Sequence, residues 1–337
     1  MKLISPCIGL LFVMASASYA QNNAAAYRKR MMDSIKNVYL TEAAIRNPAL
    51  RQITVSTDVI ASTNIKSQLY GNELFKGKVS QVRTTALFTM PVKSWGRNSV
   101  SATAGIFQQH ISLSDITPYQ ATAAQLEGYT TNKVTVGITA NYIRLDSLFG
   151  RPVVYMATVS GLTSQSNSIQ KLSYLAGAIF TLKQTPSVRS SLGFLINIDP
   201  SINVPFVPIF TYWRKFNNGL ELNVNPPQQV NVRKTLSKNL WASFGTSLAG
   251  SVAFFKFTQP GIPQDANYST IELKTGPGVE YRFAKKFIFG LNAGMLSPIQ
   301  SRIFERSQKT SEYFINNKVS STPFVNFTLA VLPFIHN

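Results

Sequence analysis

His110 and Ser112 flank Ile111 in the sequence Gln108-Gln109-His110-Ile111-Ser112-Leu113. On a strand, residues i and i+2 share a face, so this imidazole could reach the hydroxyl and take its proton, as a base does for a serine nucleophile. His110 also shares its face with Gln108, while Phe107, Gln109, Ile111 and Leu113 fall on the other. That phase predicts a solvated position in a lumen or at its rim, and no enzymatic activity is expected. Metal chemistry has less support. His336 stands near the end of the chain, and no His, Asp and Glu cluster has ligand spacing. Cys7 is the only cysteine, so no thiolate site or disulfide framework is expected. The glycines are scattered, with no phosphate-cradling loop between a strand and a helix. No cofactor is expected.

The residues with more to offer are cations at alternate positions. Arg83, Lys133, Lys171, Lys183, Arg189, Lys274 and Arg282 stand on the polar faces of apolar-alternating segments, against Asp58, Glu272 and Glu280. If these faces line a lumen, the excess of positive charge favours small anionic solutes. The alternative is that the same residues pair with one another and fill a closed interior.

The elements that must carry these residues are strands. From Lys133 to Tyr142, Val134, Val136, Ile138, Ala140 and Tyr142 alternate with Lys133, Thr135, Gly137, Thr139 and Asn141. Successive strand side chains point to opposite faces, so one face wants hydrocarbon and the other water. The pattern recurs at Ile53–Val59, Gln81–Val92, Lys171–Lys183, Val188–Ile198, Leu240–Phe254 and Ile271–Phe283. This repetition predicts an all-β, transmembrane antiparallel β-barrel, apolar toward lipid and polar within.

The N-terminus predicts export. Lys2, the apolar run Ile8 to Met14 and Ser18-Tyr19-Ala20 read as a signal peptide over 1–20, cleaved after Ala20. The run is far shorter than the roughly 20 residues of a spanning helix. Cys7 lies behind Ser5-Pro6, outside any lipoprotein box. Residues 21–50 read as a periplasmic leader, helical or disordered, with apolar Met32, Ile35, Tyr39 and Ile45 and a stop at Asn47-Pro48. The barrel is expected over 51–337. The chain is 45% hydrophobic but only 14% charged, where about a quarter is usual for soluble proteins. Its net charge of +19 suits anionic lipid head groups or an electropositive pore. Nucleic-acid binding is not expected, because the basic residues are spread along the strands and form no single patch.

Connections alternate in length. Short turns are expected at Lys93–Asn98, Asp146–Gly150, Lys183–Ser187, Asn217–Gly219, Ser237–Asn239 and Ala284-Lys285. Long outer loops are expected at Asn64–Lys78, Ser114–Asn132, Thr258–Asn267 and Ser307–Ser321. Reading Pro226-Pro227 as an outer turn gives about 14 strands with both termini in the periplasm; 12 follow if the short strands beside it do not pair. Trp95, Trp213 and Trp241 lie in or beside short turns, where an interfacial belt would place them.

Three passages carry a family resemblance: Pro48-Ala49-Leu50-Arg51-Gln52 with Leu69-Tyr70-Gly71, Asn225-Pro226-Pro227 through Leu236-Ser237-Lys238-Asn239-Leu240-Trp241, and Pro323-Phe324-Val325 to Leu332-Pro333-Phe334. In these the chain resembles uncharacterised outer-membrane β-barrels of Bacteroidota, a domain-of-unknown-function group. The resemblance implies a barrel in the Gram-negative outer membrane, with lipid and lipopolysaccharide around it and the barrel-assembly machinery as a partner. It implies no activity. Phe334 is the candidate terminal aromatic read in assembly, although it is out of phase with Val325, Phe327, Leu329 and Val331, and Pro333 would mark a compensating bulge. The His-x-Ser spacing at His110 is similar to that of outer-membrane phospholipases, but its neighbours do not reproduce their asparagine- and glycine-rich box.

Overall fold

The computed structural model describes residues 40–165, 168–199 and 205–334. The expected signal segment, its cleavage site, most of the leader and His336 lie outside the described residues. Two units divide the chain: the barrel, Gln52–Val331, and a terminal unit that takes in the helix 40–46 and Leu332. That helix stops at Asn47, whose side-chain oxygen accepts from the Ala49 amide at 3.1 Å, and Pro48 opens the 3-10 turn Pro48–Leu50.

The strands are β1 (Ile53–Leu69), β2 (Asn72–Trp95), β3 (Asn98–Pro118), β4 (Thr130–Leu148), β5 (Arg151–Thr163), β6 (Lys171–Gln184), β7 (Val188–Ile198), β8 (Phe206–Lys215), β9 (Leu220–Asn225), β10 (Gln229–Ser237), β11 (Leu240–Lys256), β12 (Asp265–Phe283), β13 (Phe287–Glu305), β14 (Tyr313–Val319) and β15 (Thr322–Val331). Each pairs antiparallel with its neighbours, and the last close on the first. β15 pairs with the lower half of β1 (Ile53↔Val331 to Ile60↔Phe324) and β14 with the upper half (Ile65↔Val319 to Leu69↔Ile315). They form one stave broken at Ser320-Ser321, so the described residues make a closed barrel of fourteen staves. The twelve-strand alternative falls, because β9 and β10 pair fully across the turn at Pro226-Pro227 (Asn225↔Gln229 to Leu220↔Lys234). No described helix is long and apolar enough to cross a membrane; the strands do so.

The outer face follows the alternation. Ile106, Ile138, Phe244 and Val279 are exposed, with Ile138 at 65% and Phe244 at 60%. Without lipid to meet, side chains of this size would not stand free. At the turn end of the barrel Trp95 and Tyr142 share the outer face (6.5 Å between rings), as do the stacked Phe283 and Phe287 (5.4 Å). Trp213 and Trp241 do not belong to this belt. Their registers place Trp213 opposite Arg189 and Trp241 opposite Glu280, on the inner face.

The long outer loops expected at Asn64–Lys78 and Ser114–Asn132 are largely strand. β1 and β2 continue to a tight turn at Tyr70-Gly71, and β3 runs to Pro118 before the 3-10 segment Ala121–Leu126. Ser307–Ser321 likewise contains β14. β2 has 24 residues, where crossing a membrane takes about 9–11. Its upper part stands clear of the bilayer, and there the polarity reverses. Lys66, Lys78, His110 and Asn132 face outward, while Ile65, Phe75, Val79 and Leu113 pack a core inside, capped by Ala123. Strands wet on the outside must be apolar on the inside, so the alternation continues with its meaning inverted. β15 ends at Val331, so Pro333 marks no strand bulge and Phe334 lies beyond the sheet.

Candidate functional site

The barrel has a tall wall and a low wall. The tall wall comprises β11–β13, β14 with β15, and β1–β4; the low wall comprises β5–β10. β10 leaves β11 after the bond from Leu248 N to Gln228 O (2.8 Å), so the upper edge of β11 lacks a β10 partner. That edge closes across the interior onto β3 and β4. Gln109 Nε2 and Thr135 Oγ1 both donate to the Val252 carbonyl, at 3.3 and 3.4 Å, and Lys133 Nζ lies 4.4 Å from the Phe255 ring centre. The upper part of the tall wall thus encloses its own interior, apart from the low wall.

That upper interior is packed. Arg83 makes a bidentate pair with Glu272 (Nη1 to Oε2 2.6 Å, Nη2 to Oε1 2.7 Å), and Gln81 Oε1 accepts from Arg83 Nε at 2.9 Å. Tyr268, Thr270, Leu296 and Thr322 surround the pair, leaving a cavity of about 20 Å³, room for roughly one water. Below it, Lys274 Nζ donates to Asp58 Oδ2 (2.6 Å), Asn326 Nδ2 donates to Asp58 Oδ1 (2.8 Å), and Thr328 Oγ1 donates to Ser56 Oγ (3.2 Å). Each side chain answers another across a strand or across the interior, as buried polar groups must.

The low wall carries Lys171 and Arg189 near its two ends, and Arg282 stands at the turn end of β12 in the tall wall. Lys171 Nζ meets Asp199 Oδ2 at 3.0 Å at the loop end. Toward the turns, the Arg189 guanidinium lies over the Trp213 ring (5.4 Å), and Trp213 Nε1 donates to Glu221 Oε2 (3.1 Å). Beside them Arg233 and Arg282 lie 4.9 and 5.9 Å from the Trp241 ring; Arg282 Nη2 donates to Asn239 Oδ1 (3.0 Å), and Arg233 meets Glu280 at 3.5 Å. A ring holds a guanidinium without cancelling its charge, and Arg189, Arg233 and Arg282 stand here against Glu221 and Glu280, an excess of one positive charge among these five residues.

Six of the seven expected cations, Arg83, Lys133, Lys171, Arg189, Lys274 and Arg282, face inward by register. Lys183 does not. A bulge between Thr181 and Lys183 sets Lys183 opposite Ser190, the face of exposed Leu192, so its ammonium lies outside near the turn end. His110 is a second correction. It pairs with Val82 and Asn132 on the outer face, above the lipid band, instead of the lumen or rim. Asp199, Glu221 and Arg233 were not among the expected residues, although their phase was readable: Glu221 and Asn223 alternate with Leu220, Leu222 and Val224, and Arg233 follows Val230 and Val232. Among the described residues no group of three or more His, Cys, Asp and Glu could hold a metal ion.

No family model and no curated protein matches the chain. Among solved structures it is similar to an outer-membrane channel from Pseudomonas putida F1, at 8% identity over 83% of this chain and 96% of that one, with a TM-score of 0.33. It is similar to the transport unit of the autotransporter AIDA-I from Escherichia coli (6% identity, 84% and 90% covered, TM-score 0.31) and to the translocator domain of the autotransporter NalP from Neisseria meningitidis (10% identity, 93% and 98% covered, TM-score 0.29). The barrel itself stands on its strand register.

Proposed function

We propose that the chain is a passive channel of the Gram-negative outer membrane for small anionic solutes, with the path along the low wall. One observation carries this reading: Arg189 and Arg282 turn inward at the turn-end mouth and rest on tryptophan rings, which leave their charge in force. Each such charge attracts a monovalent anion 7 Å away by about 0.6 kcal/mol even at the dielectric constant of water, near threefold in local concentration. The signal segment, the lipopolysaccharide contact and delivery by the barrel-assembly machinery belong to the same proposal, as does kinship with the Bacteroidota barrels.

Purified protein in a planar bilayer under a salt gradient should give reversal potentials favouring the anion, and the double variant R189Q/R282Q should move them toward zero. Absence of conductance, or cation preference in the unmodified protein, defeats the reading. One observation favours a second reading, a structural or surface-binding barrel acting through its outer elements: the lobe above the membrane has its own core of Ile65, Phe75, Val79 and Leu113. If shortening the β1–β2 hairpin leaves conductance intact and abolishes a cell-surface phenotype, that reading wins.

A further inference from the structure

Three lysines form a row across the outer face of the lobe above the membrane. Lys66 of β1 stands directly opposite Lys76 of β2 and directly opposite Lys318 of β14. Among the described registers these are the only like charges set face to face. Such a placement weakens a sheet, because opposed side chains start about 5 Å apart. Lys66 and Lys318 are exposed, and no carboxylate among the described residues pairs with either. Beside the row, Lys78 meets Asp115 at 2.7 Å, and outward Gln68 and Asn316 lead to Arg302 of β13. Exposed tyrosines flank these cations. Lys76 Nζ lies 4.9 Å from the Tyr119 ring centre, and the Arg302 guanidinium lies 4.2 Å from that of Tyr313. Lys66, Lys76, Lys78, Lys318 and Arg302 stand against Asp115 and Glu73, an excess of three positive charges among these seven residues. A fold gains nothing from opposing its own lysines, whereas an anion laid on the row turns repulsion into attraction. Tyrosine faces add apolar area on which a sugar ring can rest.

The height of the row names the anion. Val59 and Val82, directly opposite each other, are the last large aliphatic residues exposed on β1 and β2 toward the loops. Lys76 stands six residues beyond Val82 on β2. That is about 20 Å along the strand, or about 15 Å in height at the usual tilt. The head-group layer of a bilayer is only about 5–8 Å deep. The row therefore stands past the head groups, in the layer where lipopolysaccharide carries its core sugars outside the Gram-negative membrane. Those sugars place phosphate and carboxylate groups beside their rings.

We infer that Lys66, Lys76 and Lys318, flanked by Tyr119 and Tyr313, hold the anionic core sugars of lipopolysaccharide without a bridging divalent cation. This names the site of the lipopolysaccharide contact proposed above and rests on that contact, but not on the channel reading. The test titrates the folded protein in detergent against fluorescently labelled rough lipopolysaccharide, which is lipid A with phosphorylated core sugars, in EDTA, and against lipid A alone. K66Q/K76Q/K318Q should bind the rough form at least tenfold more weakly than the parent, and the two should bind lipid A alike. K234Q/K285Q/K286Q, which removes three charges toward the turn end, should stay within twofold of the parent. K66Q alone breaks both opposed pairs and should cost at least threefold, so it serves as the second probe should the triple variant lack the heat-modifiable folded band. Parent-like binding by the row variants overturns the site and leaves the lipopolysaccharide contact standing. An equal loss in K234Q/K285Q/K286Q reduces the effect to net charge and overturns the site. A loss that persists on lipid A places the anion at the bilayer edge and overturns the assignment to core sugars. A parent that binds neither form overturns the contact and the site together.

Discussion

Glu272→Gln keeps the size and shape of the side chain and removes one charge, and the tall wall should feel it strongly. Arg83 and Glu272 meet through two bonds of 2.6 and 2.7 Å, with side-chain exposures of 10% and 2%. They come from β2 and β12, separated around the barrel by β13, the β14–β15 stave and β1, so the pair braces the upper interior across its width. The adjoining cavity of about 20 Å³ holds at most about one water, so solvent cannot take the place of the lost carboxylate. Leaving one member of a buried pair uncompensated costs about 3–5 kcal/mol, whereas replacing both by apolar groups of similar volume is often neutral or stabilising. Glu272→Gln should therefore lose about 3–5 kcal/mol, and the double variant R83M/E272L should lie within about 1 kcal/mol of the parent. Reversible urea unfolding in lipid vesicles, followed by tryptophan fluorescence, measures both. A Glu272→Gln protein within about 0.5 kcal/mol of the parent refutes the reasoning, since surface changes are of that size. Conductance should be unaltered in the double variant, because the path proposed lies along the other wall.

Ile106→Arg on the lipid face should cost about 2–4 kcal/mol, while His110→Arg, four residues along the same face of β3, should cost almost nothing; urea unfolding in vesicles locates the bilayer edge between them. Lys183→Gln should leave reversal potentials within error of the parent under conditions where R189Q/R282Q shifts them. Gly276→Val should cost about 3 kcal/mol or prevent folding, because its side chain would overlap the Ala293 carbonyl across the β12–β13 pair; loss of the heat-modifiable band on gels reports this.

Strand phase was legible wherever the outer face meets lipid, because hydrocarbon on one side and a polar interior on the other print a period of two. At Lys133–Tyr142 nothing else was needed to orient Lys133 inward and Ile138 outward. Two kinds of feature escaped. The first is the single-residue bulge: at Thr181-Leu182-Lys183 the composition still alternates, but the inserted residue turns Lys183 to the outside. The second is the change of solvent. Lys66, Gln68, Lys76 and Lys78 read as loop because polarity on the outer face is foreign to a lipid-facing strand; above the bilayer it is what water selects. Ile65 and Leu69 keep the parity of Val55 and Val59, while in β2 the apolar positions switch from even (Val82, Phe88) to odd (Val79, Phe75), so an alternation scored for either parity would have followed both strands to Tyr70. Pairings such as Arg83 with Glu272 join residues 189 positions apart and leave no local trace.

The division of the interior also changes what the basic composition means. A plain cylinder of fourteen staves would leave a lumen wider than that of an eight-stranded barrel, and every inward cation would face the same water. Here the upper edge of β11 closes onto β3 and β4, and the cations separate into two groups by what stands against them. Arg83 and Lys274 are engaged by Glu272 and Asp58 inside the tall wall, where they brace packed side chains. Arg189 and Arg282 rest on rings at the turn end, and Lys133 lies on Phe255 where the upper edge of β11 meets β4. Charge selectivity should thus respond to the second group and stability to the first. An account based on net charge alone would instead have every inward cation contribute to both.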